Sequence, residues 1–467
     1  MAKNKYRIEE DSLGKVKVPY KALYGAQTQR AINNFPVSGI TLNFPFTNTF
    51  ISMLGVIKYS AAKANKTLGL LDTKRARSIA RAAKEVYSNK HDDQFPIDVF
   101  QTGSGTSTNM NANEVIANLA SIFSGVDVNP NDHVNMSQSS NDVIPTAINI
   151  SCHCDLEHKL MPNLESLISS ITIKANQLKG VVKTGRTHLM DAMPIDFYQE
   201  LSAWEAQLIS SRNSLKLLME KLLFLPQGGT AIGTGINAHP RFSKEFAKEV
   251  SKLGKVKAKP SLNFFQSLSS QDLSVQLSGE LKNLSVILMK ISNDLRWMNS
   301  GPLSGLGEIE LEALQPGSSI MPGKVNPVIP EAVTMVCADV IGNDTSITIA
   351  AQSGNFQLNV MLPLIAYNQL KSINILAGAT KILGKKAIKS FKVNTKNIEA
   401  SLSKNPILVT ALNPVIGYAK ASYIAKKAYK ESRPVIEVAN EETELSLSEL
   451  KNILDPKKLT RGGINKK

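Results

Sequence analysis

Leu201, Trp204, Leu208, Leu215, Leu218 and Leu222 recur at intervals of three, four or seven residues, the stripe of a helix that buries one face. A helix carrying this stripe over residues 201–225 would run roughly 37 Å at about 1.5 Å per residue. Two further segments behave alike: Leu156, Leu160, Leu164, Leu167 and Ile171, then Leu281, Leu284, Leu288, Ile291, Leu295 and Met298. Long helices with one apolar stripe each bury those stripes against one another, so the middle of the chain is predicted to be a long-helix bundle. Strand signals are few and short, for instance Val181-Val182 before a turn at Gly185. No GxGxxG follows a strand and no GxxxxGK[ST] is present, so a doubly wound sheet is not expected and nucleotide cofactors have no cradle.

With 467 residues the chain exceeds the roughly 250–300 over which one core keeps growing, and two or three packed regions are expected. Turn residues at 141–145 and near Pro363 divide it into a mixed, mostly helical N-terminal domain (1–142), the central bundle (143–365) and a small helical C-terminal domain (366–467). Every apolar run falls short of the ~18 residues a bilayer helix needs, and MAKNKYRIEEDSLGK has no apolar signal core; a cytoplasmic location without a membrane partner is expected. Three cysteines in a chain of this length fit a reducing compartment. The net charge of +15 raises the question of nucleic acid, but the basic residues are scattered. They are densest at Lys385, Lys386, Lys389, Lys426, Lys427 and the final Lys466-Lys467, with no zinc-finger spacing or RNP-like strand. The expectation is a Lys-rich solvated surface that favours entry of a dianion, with no nucleic-acid partner.

Four polar segments interrupt the helical pattern, each read as lying where a helix begins or ends. In TGSGTSTNMNANEVIAN, Gly103 and Gly105 permit a tight loop, Asn111 and Glu114 have capping-box spacing, and Ser104 and Thr106 offer hydroxyls to a carboxylate; a capped loop and nothing more is the alternative. HVNMSQSSNDVIPTA places Ser139, Ser140, Asn141 and Asp142 before Pro145, as in a first helical turn, where the positive helix end meets neutral donors. GRTHLMDAMP holds His188 between Thr187 and Asp191, either a structural histidine or an acid–base group. QPGSSIMPGKVNPVIPEA cannot be helical through Gly317, Pro322 and Gly323, yet concentrates Ser318, Ser319, Lys324, Asn326 and Glu331. Such a loop can close over a ligand: Lys324 and Asn326 suit a carboxylate, and Ser318 can act as a base only where donors or cations stabilise its alkoxide. Cys152, His153, Cys154 and His158 resemble a metal tract, but on a helix the two thiols point to nearly opposite sides, so thiols of core or surface are expected there.

These segments, with YGAQTQRA and SGNFQLNV, closely resemble the fumarase/aspartase superfamily, specifically class II fumarases, from about Asp11 to the tail. The resemblance implies a mainly α fold: a central long-helix bundle that joins three other copies in a tetrameric helical core, with smaller N- and C-terminal domains. It implies a homotetramer whose active sites each draw on three subunits, fumarate and L-malate as substrates, and no metal or other cofactor. Carried over residue by residue, Ser318 removes a proton from the carbon next to one malate carboxylate, giving an aci-carboxylate. Lys324 and Asn326, with Ser319 and Val325 beside them, bind that carboxylate, and His188 paired with Glu331 manages the proton on the water. Ser104, Gly105, Thr106, Ser139, Ser140, Asn141 and Thr187 line the substrate. A secondary anion site of some fumarases uses Arg and His shortly before PND; Val126 and Asn129 stand there, leaving Asn129, Asn131 and Asp132 as its candidates.

Members of this superfamily differ in the group that leaves a succinyl skeleton. Fumarases typically read TGSGT, QSSND, GGTA and SGNF where aspartases read GAGT, QSTND, GATA and AGQL, and this chain has the first spelling at all four places. Water is therefore the expected leaving group, with aspartate ammonia-lyase as the alternative. The chain departs from the common pattern at Leu303, where Arg is usual, at Met136, where Lys is frequent, and in NPVIPE, where many fumarases have NPTQCE. A non-enzymatic helical scaffold is the reading from another class, and the intact set Ser318, Lys324, Asn326, His188 and Glu331 speaks against it.

Overall fold

The computed structural model describes residues 5–43 and 46–463; the Lys466-Lys467 pair and residues 1–4 of the N-terminal segment lie outside them. The chain opens with an antiparallel hairpin, β1 (Tyr6–Asp11) and β2 (Gly14–Pro19). Helices α1 (Ala26–Asn34), α2 (Asn48–Thr67), α3 (Thr73–Tyr87), α4 (Thr106–Ser124) and α5 (Ser140–Asp155) come next. A π-helical turn, Leu156–Leu160, joins α5 to α6 (Met161–Gln177), and a second hairpin, β3 (Val182–Thr187) and β4 (Met190–Asp196), leads into α7 (Phe197–Leu222). Then come α8 (Phe242–Gly254), α9 (Phe264–Ser269), α10 (Asp272–Met298), α11 (Val328–Gln352) and α12 (Leu362–Leu383), before shorter C-terminal helices such as Tyr418–Glu431 and Val435–Glu442. Among the described residues, sheets are two-stranded pairs only, so the fold is mainly α. No helix among them is long and apolar enough to cross a membrane.

All three leucine stripes are buried, and their helices are α6, α7 and α10. The first stripe starts in the π turn, where Met161 N–H reaches back to Leu156 O. Pro162 lacks an N–H for the carbonyl four residues back, and the π turn just ahead of it is where the helix absorbs that defect. Cys152 on α5 and Cys337 on α11 are buried, and Cys154 is half-buried.

Grouping in space cuts across the order of the sequence. One compact unit comprises Met1–Pro162, Ser211–Ser285 and Val336–Gly378; the other comprises Asn163–Ser210, Val286–Met335 and Ala379–Lys467. Every passage between them falls inside a helix, α6, α7, α10, α11 or α12, and none in a loop. Pro145, read as a boundary, lies inside α5, and Pro363 in the first turn of α12. In the first unit α2 is buried almost all round, since residues 49–58 carry apolar or small groups on every face except at Lys58. In the second, Leu412, Ile424, Val438 and Leu450 centre a C-terminal core.

Candidate active site

In the first unit, Gly105 ends the TGSGT loop with φ +73° as the residue before α4. A side chain there would be strained by that φ, and its Cβ would come within 2.8 Å of Ile144 on α5, so glycine is needed both for the turn and for the close approach of the two helices. The turn brings Ser104 Oγ within 2.8 Å of Thr106 Oγ1. Helix α4 thus begins at Thr106, and Asn111 and Glu114 lie inside it, contrary to the capping box expected from their spacing. Glu114 instead caps α1 from outside. It accepts from Gly25 N at 2.8 Å, Gln27 N at 2.9 Å and Thr28 N at 3.2 Å, and from the Thr28 hydroxyl. Gly25, which precedes α1, has no side chain to do this.

The second segment forms the expected first turn. Ser139 caps α5 in a full capping box with Asp142, whose Oδ1 accepts from Ser139 N at 2.9 Å. Asn109 of α4 donates to Ser140 Oγ at 2.9 Å, so the first and second segments are brought together. Asn141 Nδ2 donates to Ala231 O at 2.7 Å, and Asp142 Oδ2 accepts from Gly228 N and Thr230 N, both at 2.9 Å. The GGTA spelling therefore has a local job, since those backbone donors hold the start of α5. Asn129 also caps a turn, accepting from Asn131 N at 2.8 Å and Asp132 N at 3.0 Å, while Asn131 and Asp132 are exposed.

In the second unit, Thr187 and His188 are not at a helix end. β3 runs through Gly185 as a bulge, and the turn falls at His188 and Leu189, φ +54° and +61°, between the paired Thr187 and Met190. His188 is thus the exposed tip of a two-residue hairpin. Its strand is anchored by ion pairs around the buried Lys183 and Glu308: Lys183 Nζ lies 2.9 Å from both Glu200 and Glu308, and Arg186 lies 2.7 Å from Glu308.

The loop around Ser318 is held by its own backbone. Gly317 N donates to Lys324 O at 2.8 Å and Asn326 Nδ2 donates to Gly317 O at 2.7 Å. A Cβ on Gly317 would sit 2.5 Å from Lys324 O, so only glycine closes this loop. Ser318 Oγ accepts from Ile320 N at 3.2 Å and Met321 N at 3.0 Å. Ser319, Lys324 and Val325 are exposed. Lys324, Val325 and Asn326 line a cleft of about 1270 Å³ together with Arg296, Trp297 and Glu310. Glu331 lies in the first turn of α11, and among the described residues no hydrogen bond joins it to His188. The contacts of Glu114, Asp142 and Lys58 are not legible in the sequence alone. The one signal for Lys58 is a lysine inside the otherwise apolar run MLGVIKYSAA.

A family model described as Lyase matches residues 14–342, and one described as Fumarase C C-terminus matches residues 408–461. The chain is 56% identical over 458 residues to Fumarate hydratase class II 2 of Pseudomonas aeruginosa, covering 98% of this chain and 99% of that protein. This chain belongs to the class II fumarase family. Another member, the class II fumarate hydratase of Thermus thermophilus, is 46% identical over 98% of both chains. The solved class II fumarase of Schistosoma mansoni matches with a TM-score of 0.94 at 38% identity, covering 97% of this chain and 99% of that one. A Brucella melitensis fumarate lyase:delta crystallin matches at 0.93 and 41%, covering 98% and 100%. The mainly α architecture expected from the stripes is thus the architecture of the family's solved members.

Proposed function

We propose that this chain is a lyase that reversibly hydrates fumarate to L-malate, with Ser318 as the base. The observation that carries the reading is the 56% identity to a class II fumarate hydratase across nearly the full length of both proteins. In the malate-to-fumarate direction Ser318 takes the proton from C3, and the electron pair moves into the adjacent carboxylate as an aci-carboxylate dianion. Lys324 and Asn326 stabilise that charge. Collapse of the intermediate forms the C=C bond and expels the C2 hydroxyl, which leaves as water with a proton from the His188–Glu331 pair. Two backbone N–H groups already point at Ser318 Oγ, the kind of donors a serine alkoxide requires. Ser104, Thr106, Ser139, Ser140, Asn141 and Thr187 fix the substrate, and Asn129, Asn131 and Asp132 are the place for a second anion.

The working molecule is proposed to be a cytoplasmic homotetramer in which three subunits complete each site. On α11, Met335, Ala338, Gly342, Thr345 and Ile349 recur every three or four residues, a face of small and apolar groups, largely exposed, suited to another helix. Ultraviolet absorbance of the purified protein, mixed separately with L-malate and L-aspartate, tests the reaction. A rise with malate that Ser318→Ala reduces by about 10²-fold or more is expected. A rise with aspartate alone would make the chain an ammonia-lyase and sink the proposal.

A further inference from the structure

Behind the first turn of α5 lies a pair of opposite charges that the proposed reaction does not use. Lys58 is the one cation in the buried run of α2, and its side chain is fully buried. Its ammonium donates to two neutral oxygens, Asn135 Oδ1 at 3.0 Å and Gln138 Oε1 at 3.1 Å. Gln138 directly precedes Ser139, and Asn135 Oδ1 is shared with Asn109, the residue that donates to Ser140. Asp142, also fully buried, grips the same turn from its other end, through Ser139 N, Gly228 N and Thr230 N. Residues 139–141 therefore sit between a lysine that holds the side chains just ahead of them and a carboxylate that ties their far end to the Gly228–Thr230 backbone.

Capping a helix needs an acceptor but not a charge, and burying two charges is costly. The site gives a reason for both. The N-terminus of α5 carries a partial positive charge that favours an anion. A lone carboxylate in that first turn would cancel this field and repel a dicarboxylate, whereas a carboxylate balanced by an equally buried ammonium would not. We propose that Lys58 and Asp142 form a charge-balanced positioning pair that fixes Ser139, Ser140 and Asn141 while leaving the start of α5 attractive to a dianion. Both act through other residues and touch no substrate. Burial pushes the Asp142 carboxyl up to about 6 and pulls the Lys58 ammonium down to about 7, and each charge works to keep the other ionised.

The inference rests on the reading of residues 139–141 as substrate-binding, so the test includes Asn141→Ala. Steady-state kinetics with fumarate and L-malate would be measured for Lys58→Met, Asp142→Asn, the double variant and Asn141→Ala. Lys58→Met is expected to raise KM about tenfold with kcat within about twofold, and the double variant, whose pair is neutral, to return KM to within about threefold of the parent. If Lys58→Met does not fold, the double variant must fold and bind within that threefold. An unchanged KM in Lys58→Met, a fall in kcat alone, or a double variant no better than the product of the single effects overturns the pair. An unchanged KM in Asn141→Ala overturns the substrate reading instead, and the inference with it.

Discussion

Asp98 shows what one carboxylate does away from the chemistry. It accepts from Ser38 N at 2.6 Å, Gly39 N at 2.7 Å, Phe100 N at 2.8 Å and the Ser38 hydroxyl at 2.9 Å. Burial pushes its carboxyl up, but these donors outweigh burial and hold it below the ordinary value of 3.8. A value lower in the folded than in the unfolded chain makes the contribution complete above 3.8 and removes it as pH falls through the folded value. Asp98→Asn is therefore expected to cost about 2 kcal/mol at pH 7. Thermal unfolding of both proteins from pH 7 to pH 3 checks this; a gap that stays constant across that range would contradict it. At this scale the sequence is readable where function concentrates polar groups in loops, as at Ser318 and Lys324. It misleads at Asn111 and Glu114, because capping-box spacing also occurs inside helices. Only the fold shows that Glu114 faces the start of a different helix.

The same carboxylate makes α1 a test at the scale of the element. Nothing in AQTQRAINN or the glycine before it satisfies the helix's first donors, so α1 starts where Glu114 meets it. Glu114→Ala should destabilise the protein by roughly 3 kcal/mol, since it strands several buried donors. Denaturant unfolding measures the loss, and a change below about 1 kcal/mol would show that other groups cap the helix. The long helices were legible because their leucine period survives even a π turn. The hairpin at His188 was not, because two-residue turns of this kind favour Asn-Gly, and His188-Leu189 adopts positive φ without that spelling. Lys183 and Arg186 on its first strand are anchored by Glu308, more than a hundred residues away, which no local pattern reveals.

At the scale of the whole molecule, the exposed face of α11 decides between a single chain and an assembly. Light scattering should give the mass of four chains, and Met335→Lys, a charge placed on that face, should yield smaller species with little activity. A monomeric parent with full activity would refute the tetramer. At this scale the mainly α character of the fold is readable in the leucine stripes. The grouping into two units is not, because the sequence stripes mark which face of a helix is covered but not what covers it. Each unit draws on three separate stretches of chain, and this bears on how the protein is made. On the ribosome the first unit lacks its last stretch until Gly378 has emerged, and the second waits for the C-terminal region. For most of translation the leucine faces have no finished core to enter. A nascent chain of this design depends on being shielded from aggregation, and one that is cut short before Gly378 has no complete unit to fall back on.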